Sequence, residues 1–212
     1  MLRCPKHLVK PREAAIAGTS LLPCIEPPVR IEFVVDGECI GYMNRYKNKG
    51  HMTAALLFPR HFLDFSKNAA SIELHLCKPD VPVEIFNYDA SKVTVSKSYD
   101  LALYDDELLE NKLKAIPIVD IAPEHQLHIQ VERNGRWFHS VSKNPFRSVA
   151  QPMDAEQKYD ASTQPGDCGT PVYCNGGCVG MHVGTYGGAS QKNAFLYFGP
   201  DVRGWAFSKA TI

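Results

Sequence analysis

Apolar and polar residues alternate in short runs along most of this chain, and polar, glycine or proline breaks separate the runs about every 8 to 12 residues. RIEFVVDGECIGYMNRY alternates, breaks at Asp36-Gly37 and alternates again, which is the pattern of a β-hairpin. Further runs with β-branched or aromatic content are MTAALLF, SIELHL, VPVEIF, KVTVS, DLALY, KAIPIVDI, LHIQVE, RWFHSVS, TPVYC, CVGMHVG and NAFLYF. Side chains on a strand alternate between faces, so these runs predict an all-β fold of barrels or sandwiches. Two stretches depart from the pattern. KPREAAIAGT at residues 10–19 predicts a short N-terminal helix, broken by PCIEPP, and DDELLENKL predicts a helical turn. Residues 105–126 begin charged, acquire Pro117 and end at Pro123-Glu124, so a boundary between two lobes is expected there. This divides the chain into an N-terminal segment at 1–28, a first lobe at 29–110, a linker at 111–126 and a second lobe at 127–212.

Composition narrows the functional classes. The chain has 212 residues, 44% of them apolar and 22% charged, as expected of a globular protein with a sizeable core. Its 23 basic and 23 acidic residues cancel, so no global charge draws it to nucleic acid or to an anionic membrane. RNA would have to be met by a local basic patch. No apolar run reaches the roughly 18 residues of a spanning helix, and MLRCPKHLVK lacks the apolar centre of a signal peptide. A soluble, intracellular protein without membrane insertion is the expectation. The seven cysteines are odd in number and irregularly spaced, which fits a reducing compartment better than a disulfide framework. Cys4 and His7 could supply two zinc ligands, but no second pair has finger-like spacing, so neither metal nor cofactor is expected.

The strongest chemical signal is STQPGDCGTPVYC at residues 162–174. A cysteine that only fills a core has apolar neighbours in a periodic run, whereas Cys168 lies between Gly166 and Gly169 and inside Pro165 and Pro171. Such a turn presents a side chain. A thiol of ordinary pKa is only a few per cent thiolate at neutral pH, so a nucleophilic cysteine needs an imidazole and a group to orient it. His61 follows the apolar run of TAALLFPRHF, at the tip of a strand, and could otherwise merely start a short surface helix. Asp100 stands at the mouth of the apolar run DLALY, where an unpaired carboxylate would be costly and an imidazole N–H is a suitable partner. Asp89, Asp105 and Asp106 are alternative acids in turn-like settings, while His51 and His75 look like strand-surface residues. Cys174 and Cys178 flank Asn175-Gly176-Gly177 and are expected to face each other across a hairpin as core thiols.

The order His61, Asp100, Cys168 is that of chymotrypsin-fold triads. GDCGTP followed by CVGMHVG resembles the nucleophile region of viral chymotrypsin-like cysteine proteases of the picornavirus 3C-like group, and PRHF and YDLAL resemble its histidine and acid segments. The resemblance implies two antiparallel six-stranded β-barrels with the active site between them, the first carrying His61 and Asp100, the second Cys168. It also implies a cysteine endopeptidase that cuts a viral polyprotein, and host proteins, after Gln or Glu in the infected cell's cytoplasm. In that family Thr163 and His182 would line the specificity pocket. The turn itself can aim the amides of Gly166 and Cys168 at an oxyanion. Three departures stand out. The family's Lys-Phe-Arg-Asp-Ile RNA-binding segment has only ENKLKAIPI as its nearest equivalent, leaving nucleic-acid binding unsupported. Thr170 occupies a position where many relatives have glycine. Thr163 to Gly169 also fits the sobemovirus-like Thr-x-x-Gly-x-nucleophile-Gly pattern, whose nucleophile is serine.

Three rival readings compete with this one. A trypsin-like enzyme with serine replaced by cysteine would carry a pocket aspartate where Ser162 stands. A non-catalytic RNA-binding or scaffolding module would use the fold without the chemistry. A zinc or redox protein would use Cys168, Cys174 and Cys178 together.

Overall fold

The computed structural model describes residues 19–120, 126–144, 156–174, 176–185 and 192–208. The expected helix at 10–19 lies outside them apart from Thr19, as do Cys4 and His7. The fold is all-β. After β1 (Ser20–Pro23), strands β2 (Arg30–Val35) and β3 (Glu38–Asn48) pair antiparallel. Their connection is Asp36 and Gly37 at φ 49° and 82°, the doubly left-handed turn that matches strand twist. Next come β4 (Ala54–Phe58), the five-residue helix α1 (Phe62–Ser66), β5 (Ile72–Cys77), β6 (Glu84–Asn87), β7 (Val93–Val95) and β8 (Ala102–Tyr104). These strands form an antiparallel run in the order β6-β5-β2-β3-β4-β8-β7.

A second run follows α2 (Glu107–Glu110), the helical turn expected from DDELLENKL, and β9 (Ile116–Ile118). It contains β10 (Leu127–Arg133), β11 (Arg136–Val141), β12 (Glu156–Tyr159), β13 (Pro171–Cys174), β14 (Gly177–Thr185) and β15 (Asn193–Tyr197), in the order β1-β11-β10-β13-β14-β15-β12. Strand β9 pairs parallel with β3 on one side and with β14 on the other, so the two runs join into one 15-stranded sheet. Among the described residues neither run closes on itself: no pairing links β6 to β7, or β12 to β1. The chain then enters α3 (Pro200–Phe207), with proline at its first position, where the missing N–H costs nothing.

Four packed clusters hold this arrangement among the described residues, the smallest joining Val34, Cys39 and Tyr42 of the first run to Trp137 of the second. One lies within the first run and gathers Ile31, Phe33, Ile40, Met43, Phe58 and Phe62, with Cys168 from the second run inserted into it. Another lies within the second run around Ile129, Val172, Val179 and Phe195. The third spans both: Tyr46, Leu57 and Leu103 pack against Met181, Leu196, Phe198 and Phe207 of α3. Each large side chain withdrawn from water in this way contributes about 1.5–3 kcal/mol, so the contact between the runs is part of the core.

The pairing corrects one expectation. Cys174 stands opposite Gly177, and Cys178 opposite Tyr173, with a register shift between Val172 and Tyr173. One residue of offset turns a side chain to the other face of a sheet, so Cys174 enters the second cluster and Cys178 the shared one. Both are core thiols, but they do not face each other.

Candidate active site

His61 and Asp100 meet where β4 ends and β8 begins, two paired strands of the first run. Strand β4 ends at Phe58, Pro59 turns the chain, and His61 caps α1 while Phe62 is driven fully into the core. His61 therefore does begin a short helix, and its ring is also held by an acid. Asp100 precedes β8, in a loop fixed by the Ser96 N–H bonded to the Leu101 carbonyl and by the Ser96 hydroxyl accepting from the Ser98 and Tyr99 amides. One Asp100 oxygen accepts the His61 backbone N–H at 2.9 Å and the other meets His61 Nδ1 at 2.6 Å. This two-point grip fixes the ring's position and its rotation. Phe62 and Phe65 pack edge-on against the ring, with centroids 5.2 and 5.6 Å away. The imidazole and the carboxylate remain only 12% and 18% exposed. Of the alternative acids, Asp89 caps the turn at Ala90–Lys92 and Asp106 caps α2 while pairing with Lys92 at 2.8 Å. Asp105 is exposed. His75 pairs with Glu73, and His51 is exposed.

The Cys168 turn is buried and locked to its surroundings from both sides. The Cys168 carbonyl accepts the Tyr42 amide of β3 at 2.9 Å, and the Gly169 amide donates to the His182 carbonyl of β14 at 2.8 Å. Asn44 reaches the Gly169 carbonyl at 3.4 Å. Gly169 has φ 87°, and a Cβ there would lie 1.9 Å from the Tyr42 carbonyl oxygen, so no other residue fits. Gly41 is the matching concession on β3. A Cβ at Gly41 would meet both the ring of Phe62 at 2.2 Å and the Cys168 carbonyl oxygen at 2.5 Å. The residue next to His61 and the candidate nucleophile thus converge on one bare Cα, and Cys168 shares a core cluster with Phe62.

Gly166, with φ 97°, is buried beside Cys168. The amides around them are already committed: Asp167 donates to the Gln164 carbonyl, and Thr170 to that of Asp167. The Thr170 hydroxyl donates to the same Asp167 carbonyl at 2.6 Å, so threonine in place of glycine tightens this turn.

Thr163 and His182 are both almost wholly buried. His182 lies on β14 opposite Phe195, just before a register shift, and its Nδ1 is 2.6 Å from the Tyr159 hydroxyl. Tyr159 was invisible in the sequence, because β12 (EQKY) has neither alternation nor an apolar run. Arg133, which holds Asp167, and Glu156 of β12 were missed too. Desolvation raises the Glu156 carboxyl, with the charge of Asp100 adding to the effect and that of His61 opposing it. Its neighbourhood to the His61–Asp100 pair comes from the β12–β15 pairing, which no local sequence signal announces. Cys77 and Cys178 are poor nucleophiles. Burial pushes Cys178 up to about 12 and Cys77 up to about 11, with Glu32 contributing at Cys77.

The local motif and the fold both have known counterparts. Residues 149–187 match the family model of the 3C cysteine protease, picornain 3C. The fold is similar to that of the serine protease domain of the Sesbania mosaic virus polyprotein, at 19% identity over 85% of this chain and 94% of that one, with a TM-score of 0.62. A chain solved in work on aromatic interactions in the coupled folding and binding of the intrinsically disordered Sesbania mosaic virus VPg protein is similar at 19% identity, over 85% and 91% of the two chains, with a TM-score of 0.63. The protease of tobacco vein mottling virus is similar at 12% identity, over 100% of this chain and 88% of that one, with a TM-score of 0.55. No curated protein matches the chain by sequence. The fold is therefore that of viral chymotrypsin-like proteases, and the cysteine-containing turn falls inside the stretch that matches a cysteine protease family. Among the described residues no helix is long and apolar enough to cross a membrane.

Proposed function

We propose that the protein is a cysteine endopeptidase that processes a viral polyprotein, acting in the cytoplasm of the infected cell. The observation that carries this reading is the two-point grip of Asp100 on His61, with Phe62 and Cys168 converging over Gly41. Structural histidines need no carboxylate that fixes both backbone and ring. An imidazole bonded to a carboxylate at Nδ1 holds its proton there and turns Nε2 outward as a base.

In this reading Cys168 gives its proton to His61 Nε2, and the thiolate sulfur attacks the scissile carbonyl carbon. The carbonyl becomes an oxyanion, stabilised by the amides of Gly166 and Cys168, each donor being worth about 3–4 kcal/mol of barrier. The C–N bond then breaks as His61 returns the proton to the leaving amine, leaving a thioester on Cys168. Water, deprotonated by His61, repeats the attack and releases the acid. Asp100 stabilises the imidazolium formed in each half-reaction.

Specificity for glutamine follows from His182. A Tyr159 hydroxyl that donates to His182 Nδ1 leaves the proton on Nε2, and a neutral Nε2–H with the Thr163 hydroxyl can donate to a carboxamide oxygen. Neither His182 nor Thr163 supplies a carboxylate that would select Lys or Arg. The test is covalent trapping with a peptide carrying glutamine at its C-terminal end and an electrophile in place of the scissile bond. One adduct, on Cys168, with none in His61→Ala at the same time point, is the expected result. An unmodified Cys168, or labelling spread over Cys24 and Cys174 as well, overturns the reading in favour of a non-catalytic module.

A further inference from the structure

The residue before the candidate nucleophile is a buried charge. Asp167 is 1% exposed, yet its carboxylate is ionically paired: Arg133 Nη1 donates to Oδ1 at 3.2 Å and Nη2 to Oδ2 at 2.9 Å. The Gln164 amide donates to the same Oδ2 at 2.7 Å. A guanidinium presents two parallel N–H groups to a carboxylate, so this fork fixes the orientation of the carboxylate as well as its charge. Arg133 is itself anchored. It ends β10 at a tight hairpin whose Asn134 and Gly135 have φ 54° and 82°, where the Glu132 carboxylate accepts the Gly135 amide, and its Nη1 also donates to the Glu132 carbonyl at 2.8 Å.

We infer that Arg133 and Asp167 are positioning residues for the reaction: the guanidinium holds the carboxylate that closes the Gln164–Asp167 turn, and so sets the direction of the Gly166 amide inside that turn and of the Cys168 amide in the peptide plane that follows it. The inference rests on the protease reading. Two physical effects act together. The Asp167 side chain ties its own backbone to β10, while its carbonyl is held by Thr170 and its amide by Gln164, so the turn has one arrangement. The cation also cancels a negative charge one residue from the sulfur, where an unneutralised carboxylate would oppose both the thiolate and the oxyanion. Binding of substrate in the cleft needs neither effect, because it precedes the charge.

Arg133→Gln is the primary variant. On a glutamine peptide it should lower kcat by about 100-fold or more, the usual effect of misplacing an oxyanion donor, while KM stays within about threefold. Alkylation of Cys168 by iodoacetamide, which forms no oxyanion, should fall far less than kcat, by under about tenfold. Arg133→Lys keeps the charge without the fork and should lie between wild type and Arg133→Gln. The double variant Arg133→Gln with Asp167→Asn removes both charges but keeps hydrogen-bonding shapes, and should regain at least about tenfold over the single variant. Should Arg133→Gln not fold, the Lys and double variants carry the same ordering. Hydrogen exchange at residues 166–169 supplies a readout independent of turnover and should be faster in Arg133→Lys, with the β2–β3 amides unchanged. A wild-type chain that cuts no peptide sinks the protease reading, and the exchange result then decides the positioning claim alone. Arg133 variants within about threefold of wild type in kcat, parallel losses in kcat and alkylation, or unchanged exchange at 166–169 overturn it.

Discussion

Two carboxylates serve the candidate site, and they are held in opposite ways. Asp100 sits just before β8 in the first run with 18% of its side chain exposed, and grips an imidazole that in the proposed mechanism changes its charge twice per turnover. Asp167 lies in the second run with 2% of its side chain exposed, clamped by a guanidinium that never changes its charge. A buried pair such as Asp167 with Arg133 tolerates no change in either member without several kcal/mol of penalty. The proposed mechanism thus keeps its moving proton at the rim, and its fixed geometry in the interior. The same division separates the histidines: His61 is bound by a carboxylate near solvent, His182 by a neutral phenol at zero exposure.

The comparison breaks most sharply at the sulfur. Cys168→Ala removes the nucleophile and little volume, so peptide cleavage should fall by about 10⁴-fold or more while the chain stays folded. Residual cleavage above a tenth of wild type, with circular dichroism unchanged, would dissolve the assignment. At the rim, His61→Ala should cost about 10³-fold in kcat and Asp100→Asn distinctly less, about 10- to 100-fold, because a thiolate is more accessible than an alkoxide. Steady-state kinetics on both variants check the order. An active Asp100→Ala beside an inactive Asp105 or Asp106 variant would move the acid elsewhere.

The interior predicts a subtler failure. His182→Ala should lower kcat/KM on glutamine peptides by about 100-fold, and Tyr159→Phe by about tenfold, with little change in Cys168 alkylation. A loss shared by every thiol reaction and by thermal stability would make His182 a purely structural histidine. The smallest effect concerns His128, which stacks on Tyr173 at 5.4 Å away from the site. Burial lowers its pKa, and His139 adds to the shift. The folded state thus binds the proton less well than the unfolded chain, whose value is about 6.5. Its contribution to stability is present above that pH and is lost as pH falls toward the lowered folded value. His128→Gln should flatten the dependence of Tm on pH below about 6.5. A steeper acid loss in the variant would contradict this.

What the sequence disclosed follows the range of the forces involved. The strands of the first run, the Asp36-Gly37 hairpin and the helical turn at Glu107–Glu110 were legible because alternation and turn chemistry act over neighbouring residues. Strand β12 was not, because EQKY is ordered by pairing with β15 and carries little apolar signal of its own. Helix α3 was missed although Gly199-Pro200 marks its start, because its eight residues are too few to display a helical period. The Cys174–Cys178 pairing failed on a register shift that only three-dimensional packing sets. At the site, motif residues stood out by their turn chemistry. Arg133, Tyr159 and Glu156 lie on strands that approach the site from far along the chain, and ordinary strand positions carry no mark of it.

Cleavage after glutamine by Cys168 and His61 is tested most directly with a peptide library digested by wild type and by Cys168→Ala, every new terminus being identified by mass spectrometry. The wild type should yield new C-termini ending in Gln, with some Glu, and the variant none. Cleavage that persists in Cys168→Ala, or wild-type cleavage after Lys, Arg or Leu as readily as after Gln, would contradict it.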